Sequence, residues 1–173
     1  MSSPTTSKPF VISRTFVAPR TLVWDAWTKP EHLARWMSPK GMAPAVTRMD
    51  LRPGGCYHYS LKMPQGGEMW GKWVFREVVP PERLVWEHAF SNAEGGLTRH
   101  PMAPNWPLQM LSVATFVEVD GKTTVTLNWT TLNATLAEQK TFDDAHGGMT
   151  GGWTGTFEQL EAYLAEVQGK GRG

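Results

Sequence analysis

From Val46 to Thr131 apolar and polar positions alternate with a period of two, whereas elsewhere apolar residues recur every three or four positions. A period of two marks half-buried strands, and a period near 3.6 marks helices with one apolar face. The alternation predicts strands over 45–51, 55–63, 68–79, 83–90, 109–119 and 122–131. An earlier run containing Phe10, Ile12 and Phe16 predicts a first strand over 10–17. Pro53-Gly54-Gly55, Pro64-Gln65-Gly66-Gly67 and Pro80-Pro81 break the alternation, and Asp120-Gly121 is the strongest hairpin signal. Short gaps make consecutive strands antiparallel neighbours.

Two short helices are expected between the first two strands. Pro19 suits a first helical turn, and Leu22, Val23, Ala26 and Trp27 share a face behind it. Thr28-Lys29-Pro30-Glu31 reads as a capping box opening a second helix with Leu33, Trp36 and Met37 on one side. Pro39, Gly41 and Pro44 end it. A long C-terminal helix carries Met149, Trp153, Thr156, Leu160 and Tyr163/Leu164 on one stripe, widened by Phe157. Gly147, Gly148, Gly151, Gly152 and Gly155 crowd its start. Each costs about 1 kcal/mol in a helix interior. Either the sheet approaches closely there, or space is kept free for a ligand, or the helix begins only near Thr150. Residues 91–107, with Gly95, Gly96, Pro101, Pro104 and Pro107, form a long connection that reads equally as a lid or as an inert excursion.

The expected architecture is α+β: about seven antiparallel strands curved around a C-terminal helix. The alternation places Tyr57, Tyr59 and Leu61 on one face, with Trp73 and Phe75 beside them. Leu84, Trp86, His88 and Phe90 form a third set, and Val125, Leu127 and Trp129 a fourth. A curved sheet holding that many rings under one helix tends to leave a hollow, and such hollows take apolar ligands. A fully filled core is the competing reading.

Composition narrows the function classes. The chain has 173 residues, suited to one domain, expected over 9–168 behind a loose tail of residues 1–8. Seventeen basic against sixteen acidic residues give a net charge of +1, with no basic cluster to attract nucleic acid. A single cysteine, Cys56, forbids an internal disulfide and fits a reducing compartment. Neither a signal-peptide pattern nor an apolar run long enough to span a membrane is present, so a cytoplasmic location is expected. Nine Trp and nine Met suit a roomy, adaptable apolar interior.

Four stretches together carry a family likeness: FVAPRTLVWDAWTKPEHLARWMSPKGM at 16–42, MDLRPGGCYHY at 49–59, REVVPPERLVWEH at 76–88 and GGMTGGWTGTFEQLEAYLAEV at 147–167. The chain resembles the START-like, helix-grip proteins, also called the polyketide cyclase or Bet v-like superfamily. The likeness is greatest to the branch named for the C-terminal domain of the heat-shock protein 90 ATPase activator. The resemblance implies a seven-stranded sheet gripping a C-terminal helix, with two small helices after the first strand. Superfamily members bind lipids, hormones or polyketides, and some catalyse cyclisation. Homodimers are common in this family type. The activator's additional N-terminal domain has no room in 173 residues. Gly151-Gly152 departs from the polar or acidic residues expected near that helix start.

The chemistry-bearing residues point to binding before catalysis. His32, His58, His88, His100 and His146 show no metal-ligand spacing, and no cofactor motif or nucleophile elbow is present. Cys56 reads as an inert thiol although His58 is two residues away. His88, Tyr57, Tyr59 and Glu68 are the acid–base candidates, with His88 more readily a hydrogen-bonded rim residue. The expected ligand-binding set is Tyr57, Tyr59, Trp73, Phe75, Trp86, His88, Trp129, Met149, Trp153 and Phe157 around a small apolar molecule, with no catalytic residue. A chaperone-modulating interaction module is the alternative, and a cyclase- or lyase-like enzyme ranks third.

Overall fold

The computed structural model of the chain describes residues 9–37, 44–62, 66–99 and 104–170. The tail at 1–8, the helix-ending Pro39 and Gly41, Pro64-Gln65, His100 and Pro101 lie outside them. In order, the elements are β1 (Phe10–Phe16), α1 (Arg20–Thr28), α2 (Pro30–Trp36), β2 (Pro44–Met49), β3 (Cys56–Lys62), β4 (Glu68–Val79), β5 (Arg83–Ser91), β6 (Leu97–Thr98), β7 (Gln109–Val119), β8 (Lys122–Leu132), α3 (Leu136–Asp144) and α4 (His146–Lys170). One sheet runs β1-β8-β7-β5-β4-β3-β2, antiparallel throughout, with the two-residue β6 added beside β5. This is the expected α+β arrangement of a sheet, two short helices after the first strand and a long terminal helix.

Local chemistry accounts for the joins. Asp120 and Gly121 both take positive φ, +53° and +76°, between the paired Val119 and Lys122. Those angles suit the two-residue turn whose twist matches the strands it joins. Asn92 turns the chain from β5 to β6 by accepting from the N–H groups of Glu94 and Gly96 at 3.0 and 2.8 Å. Register shifts between Val46 and Arg48 and between Phe75 and Glu77 mark bulges that increase local twist.

Helix starts differ from expectation in two places. The capping box is not at Thr28. That hydroxyl is buried and donates to the Trp24 carbonyl at 2.8 Å, and Lys29 precedes α2 without a side-chain cap. Thr28 already ends α1, so its side chain turns back into its own helix. The capping box present is Thr135 with Glu138, which opens α3, a separate short helix before the long C-terminal one.

The second difference concerns the glycine-rich start of the C-terminal helix. Helix α4 begins at His146 and runs through all five glycines. A Cβ added at Gly147, Gly148, Gly151, Gly152 or Gly155 would meet nothing within 4 Å. Close approach of the sheet is therefore not what their small size serves, and the space beside them is open. Replacing Gly151 or Gly152 by alanine is expected to stabilise the fold by up to about 1 kcal/mol each, since the helix gains propensity without a clash. Urea denaturation reads this directly, and a loss of stability would show that the face is covered.

Candidate functional site

The inner face of the sheet has a filled end and a hollow end. At the filled end, Trp27 and Trp36 of the helical insert are both 0% exposed and meet edge to face at 4.9 Å. Trp27 also reaches Trp86 at 6.1 Å and Phe116 at 5.9 Å. Helix α4 supplies Phe157, Leu160 and Leu164, all buried. Phe157 meets Phe16 edge to face at 5.7 Å.

Towards the glycine-rich start of α4 the packing opens. A deep cavity of about 170 Å³ lies among Tyr57, Trp73, Trp86, Trp153 and Met37, and shares Tyr59, Leu61, His88 and Trp129 with a second cavity. That second cavity, of about 300 Å³, extends towards the mouth past Phe90, Gly71 and Met110, and is bounded by Trp106 and Pro107 of the long connection. Among the described residues, no Asp, Glu, Lys or Arg lines either cavity.

Strand geometry explains who reaches the hollow. Trp73 and Trp86 stack at 4.6 Å, and Tyr57 and Tyr59 at 4.8 Å. The Tyr59 phenol lies over Gly71 so closely that any Cβ there would collide with it. His88 and Trp129 come together at 4.6 Å across β7, which separates their strands. Trp106 is carried against Phe142 of α3 at 6.1 Å. Arg99 holds that wall in place by donating to the Trp106 carbonyl at 3.3 Å and by pairing with the buried Glu138 carboxylate.

Of the ten residues expected to bind ligand, Tyr57, Tyr59, Trp73, Trp86, His88, Trp129 and Trp153 line the deep cavity. Phe75 and Phe157, each 1% exposed, belong to the packed core and border neither cavity. Met149 borders a separate outer groove of about 730 Å³ along the glycine face of α4, which Trp129 and Trp153 also touch. Met110, Trp106 and Ser112 were not anticipated. Ser112 is buried on the inner face of β7, opposite both Trp86 and Trp129 in register. Nothing in a lone serine within an alternating strand distinguishes it from an outward one, although its even spacing with Met110 and Ala114 gives its face.

The other candidates are engaged elsewhere. His58 stacks on Trp70 at 5.0 Å, and its Nε2 lies 3.1 Å from the Asn92 carbonyl. Glu68 is exposed at the start of β4. Among the described residues no group of three or more His, Cys, Asp or Glu is placed to hold a metal ion.

The titratable groups in the hollow are held neutral. Burial lowers His88 from 6.5 to about 4. Burial pushes Tyr59 up to about 12 against a hydrogen bond from Trp73, and it raises Tyr57 further, with Tyr59 beside it adding to the rise. A general acid or base works best with a pKa near the working pH. Here two kinds of group converge in one cavity, yet both shift away from neutrality, which favours neutral hydrogen bonding over proton transfer.

A family model described as Activator of Hsp90 ATPase homolog 1-like protein matches residues 17–165. The chain belongs to this family. Solved structures share the fold of this Hsp90-activator-like chain at low identity. A Mycobacterium smegmatis protein is 23% identical with a TM-score of 0.75, covering 96% of both chains. An Arthrobacter aurescens protein is 24% identical at 0.76, covering 95% of this chain and 90% of that one. A Staphylococcus epidermidis protein is 27% identical at 0.72, covering 96% and 95%. No curated protein matches the chain. The START-like superfamily and the Hsp90-activator-like branch are thus the ones that the four sequence stretches suggested. No helix among the described residues is long and apolar enough to cross a membrane.

The His88 shift predicts a pH dependence. A histidine whose pKa is lower folded than unfolded stabilises fully above about 6.5, and that contribution is lost as pH falls from 6.5 to 4. At most about 3 kcal/mol is at stake. Glu138, where burial is outweighed by the Thr135 N–H and Arg99 so that it sits below its usual 4.5, starts to lose its contribution only near 4.5, at the bottom of that window. Thermal melts should therefore fall from pH 6.5 to 4 in the wild type and flatten in His88→Phe. Parallel curves for the two proteins would show that His88 is not the group responsible.

Proposed function

We propose that the chain holds a small, mainly apolar molecule in the hollow between the sheet and α4. What carries the reading is a pair of adjoining, ring-lined cavities with no charged side chain among their described lining residues, bordered by Trp106 and Pro107 of the long connection. Their volumes sum to a few hundred Å³, the low end of the range for small-molecule sites. Rings that face an empty hollow lack contacts on that side, and filling the hollow would supply them. The superfamily's common use of this fold for hydrophobic ligands supports the same reading.

The chaperone-modulating alternative, and with it a chaperone partner, rests on the family description alone. An acid–base enzyme would need a group titrating near neutrality in the hollow. A homodimer and a cytoplasmic setting remain proposals drawn from the family type and the single cysteine.

The test is native mass spectrometry of the protein from its own cells, followed by denaturing extraction. A stoichiometric apolar molecule is expected. The variant Leu61→Trp, which fills the space shared by both cavities, should lower binding of that molecule at least tenfold with melting retained. Retained binding in Leu61→Trp would place the ligand elsewhere, and a partner protein captured in its stead would favour the chaperone alternative.

A further inference from the structure

Six buried side-chain polar atoms lack a hydrogen-bond partner among the described residues, and three of them belong to neighbouring residues of β5, β7 and β8: His88 Nε2, Ser112 Oγ and Trp129 Nε1. Ser112 stands directly across from Trp129 on β8, and diagonally from His88 through Trp86 and Met110. Cross-strand neighbours of this kind lie about 5–8 Å apart at Cβ. The His88 and Trp129 rings already touch. An unpaired buried polar group is costly, about 1–3 kcal/mol each, so three side by side are a standing demand for a partner.

The available donors and acceptors define that partner. The indole N–H of Trp129 can only donate, the Ser112 hydroxyl can do either, and a neutral imidazole does one or the other according to its tautomer. Burial keeps His88 uncharged at neutral pH. Among the described residues, no lysine or arginine lines the cavities to neutralise a carboxylate, and no aspartate or glutamate to neutralise an amine. Moving an unpaired charge into such a site would cost far more than its contacts return.

We propose that this patch is the polar end of the ligand site and selects a neutral hydroxyl or carbonyl group, as on a phenol or a cyclic ketone, over charged ends. The three atoms are shielded by neighbouring rings, so the ligand reaches them when the Trp129 ring turns aside. Trp129 borders the deep cavity, the mouth cavity and the open groove beside the α4 glycines, and that groove gives the ring room to move. Its displacement joins the two inner cavities into one. The inference rests on the pocket reading above and adds the chemistry of the ligand's polar group to it.

Three matched two-ring probes test it by equilibrium dialysis at pH 7.5: 2-naphthol, 2-methylnaphthalene and 2-naphthoate. The naphthol should bind at least tenfold tighter than the methyl compound, and the naphthoate more weakly than both. Ser112→Ala should reduce naphthol affinity about fivefold and leave methylnaphthalene unchanged. In 5-fluorotryptophan-labelled protein the ¹⁹F resonance of Trp129, assigned by its loss in Trp129→Phe, should shift on naphthol binding. Equal affinity for naphthol and methylnaphthalene, or tightest binding of naphthoate, overturns the inference and leaves the pocket standing. Failure of all three probes to bind overturns the pocket reading and this inference with it. The wild-type ranking decides the matter even where a variant does not fold.

Discussion

The C-terminal half of α4 lies on the sheet through Phe157, Leu160 and Leu164, and that contact sets the shape of everything above it. Each such side chain contributes about 1.5–3 kcal/mol when fully buried. Towards its N-terminal end the same stripe carries Met149 and Trp153, which are only half-buried, while the glycines beside them are exposed. One end of the sheet is filled, with Trp27 and Trp36 wedged between helix and strands. At the other end the helix is held by Trp153 against Trp129 and by its junction with α3, and the space between remains partly empty.

The same asymmetry separates charged from neutral chemistry. Ion pairs such as Arg14–Glu161, Arg35–Glu166 and Arg76–Glu87 sit in water on the outer surface, where each contributes little. Arg99–Glu138 is set deeper and ties the wall of the mouth to the start of α3. Inside, the described lining residues supply aromatic faces, aliphatic groups, thioethers and neutral hydrogen-bonding groups. A site built this way discriminates by shape and by a small number of uncharged polar contacts, because any formal charge entering it would lose its hydration uncompensated.

Much of the site was legible in the sequence because a strand's period of two assigns faces directly. Tyr57 and Tyr59, Trp73, Trp86, His88 and Trp129 were placed inward on alternation alone, and each borders a hollow. Phe75 and Phe157 share those faces yet lie at the filled end, a matter of position along the strand or helix that alternation does not encode. Trp106 comes from an irregular connection, where no period exists to read. Ser112 escaped notice because a small polar residue carries no pattern of its own, and its lack of a partner is visible only once its neighbours are in place.

The sequence by itself determined the strand order in time, the antiparallel neighbours, the Asp120-Gly121 turn, the two inserted helices and the terminal helix. These follow from periodicity and turn chemistry within a few residues of each position. Only the tertiary structure decided that β5 pairs with β7 across the long connection, that Thr28 caps nothing while Thr135 does, and that the glycines of α4 face open space. It also decided where the hollow lies. A cavity is the difference between the volume that a curved sheet and a helix enclose and the volume that their side chains fill. That difference belongs to the whole fold, so no local stretch of sequence can state it.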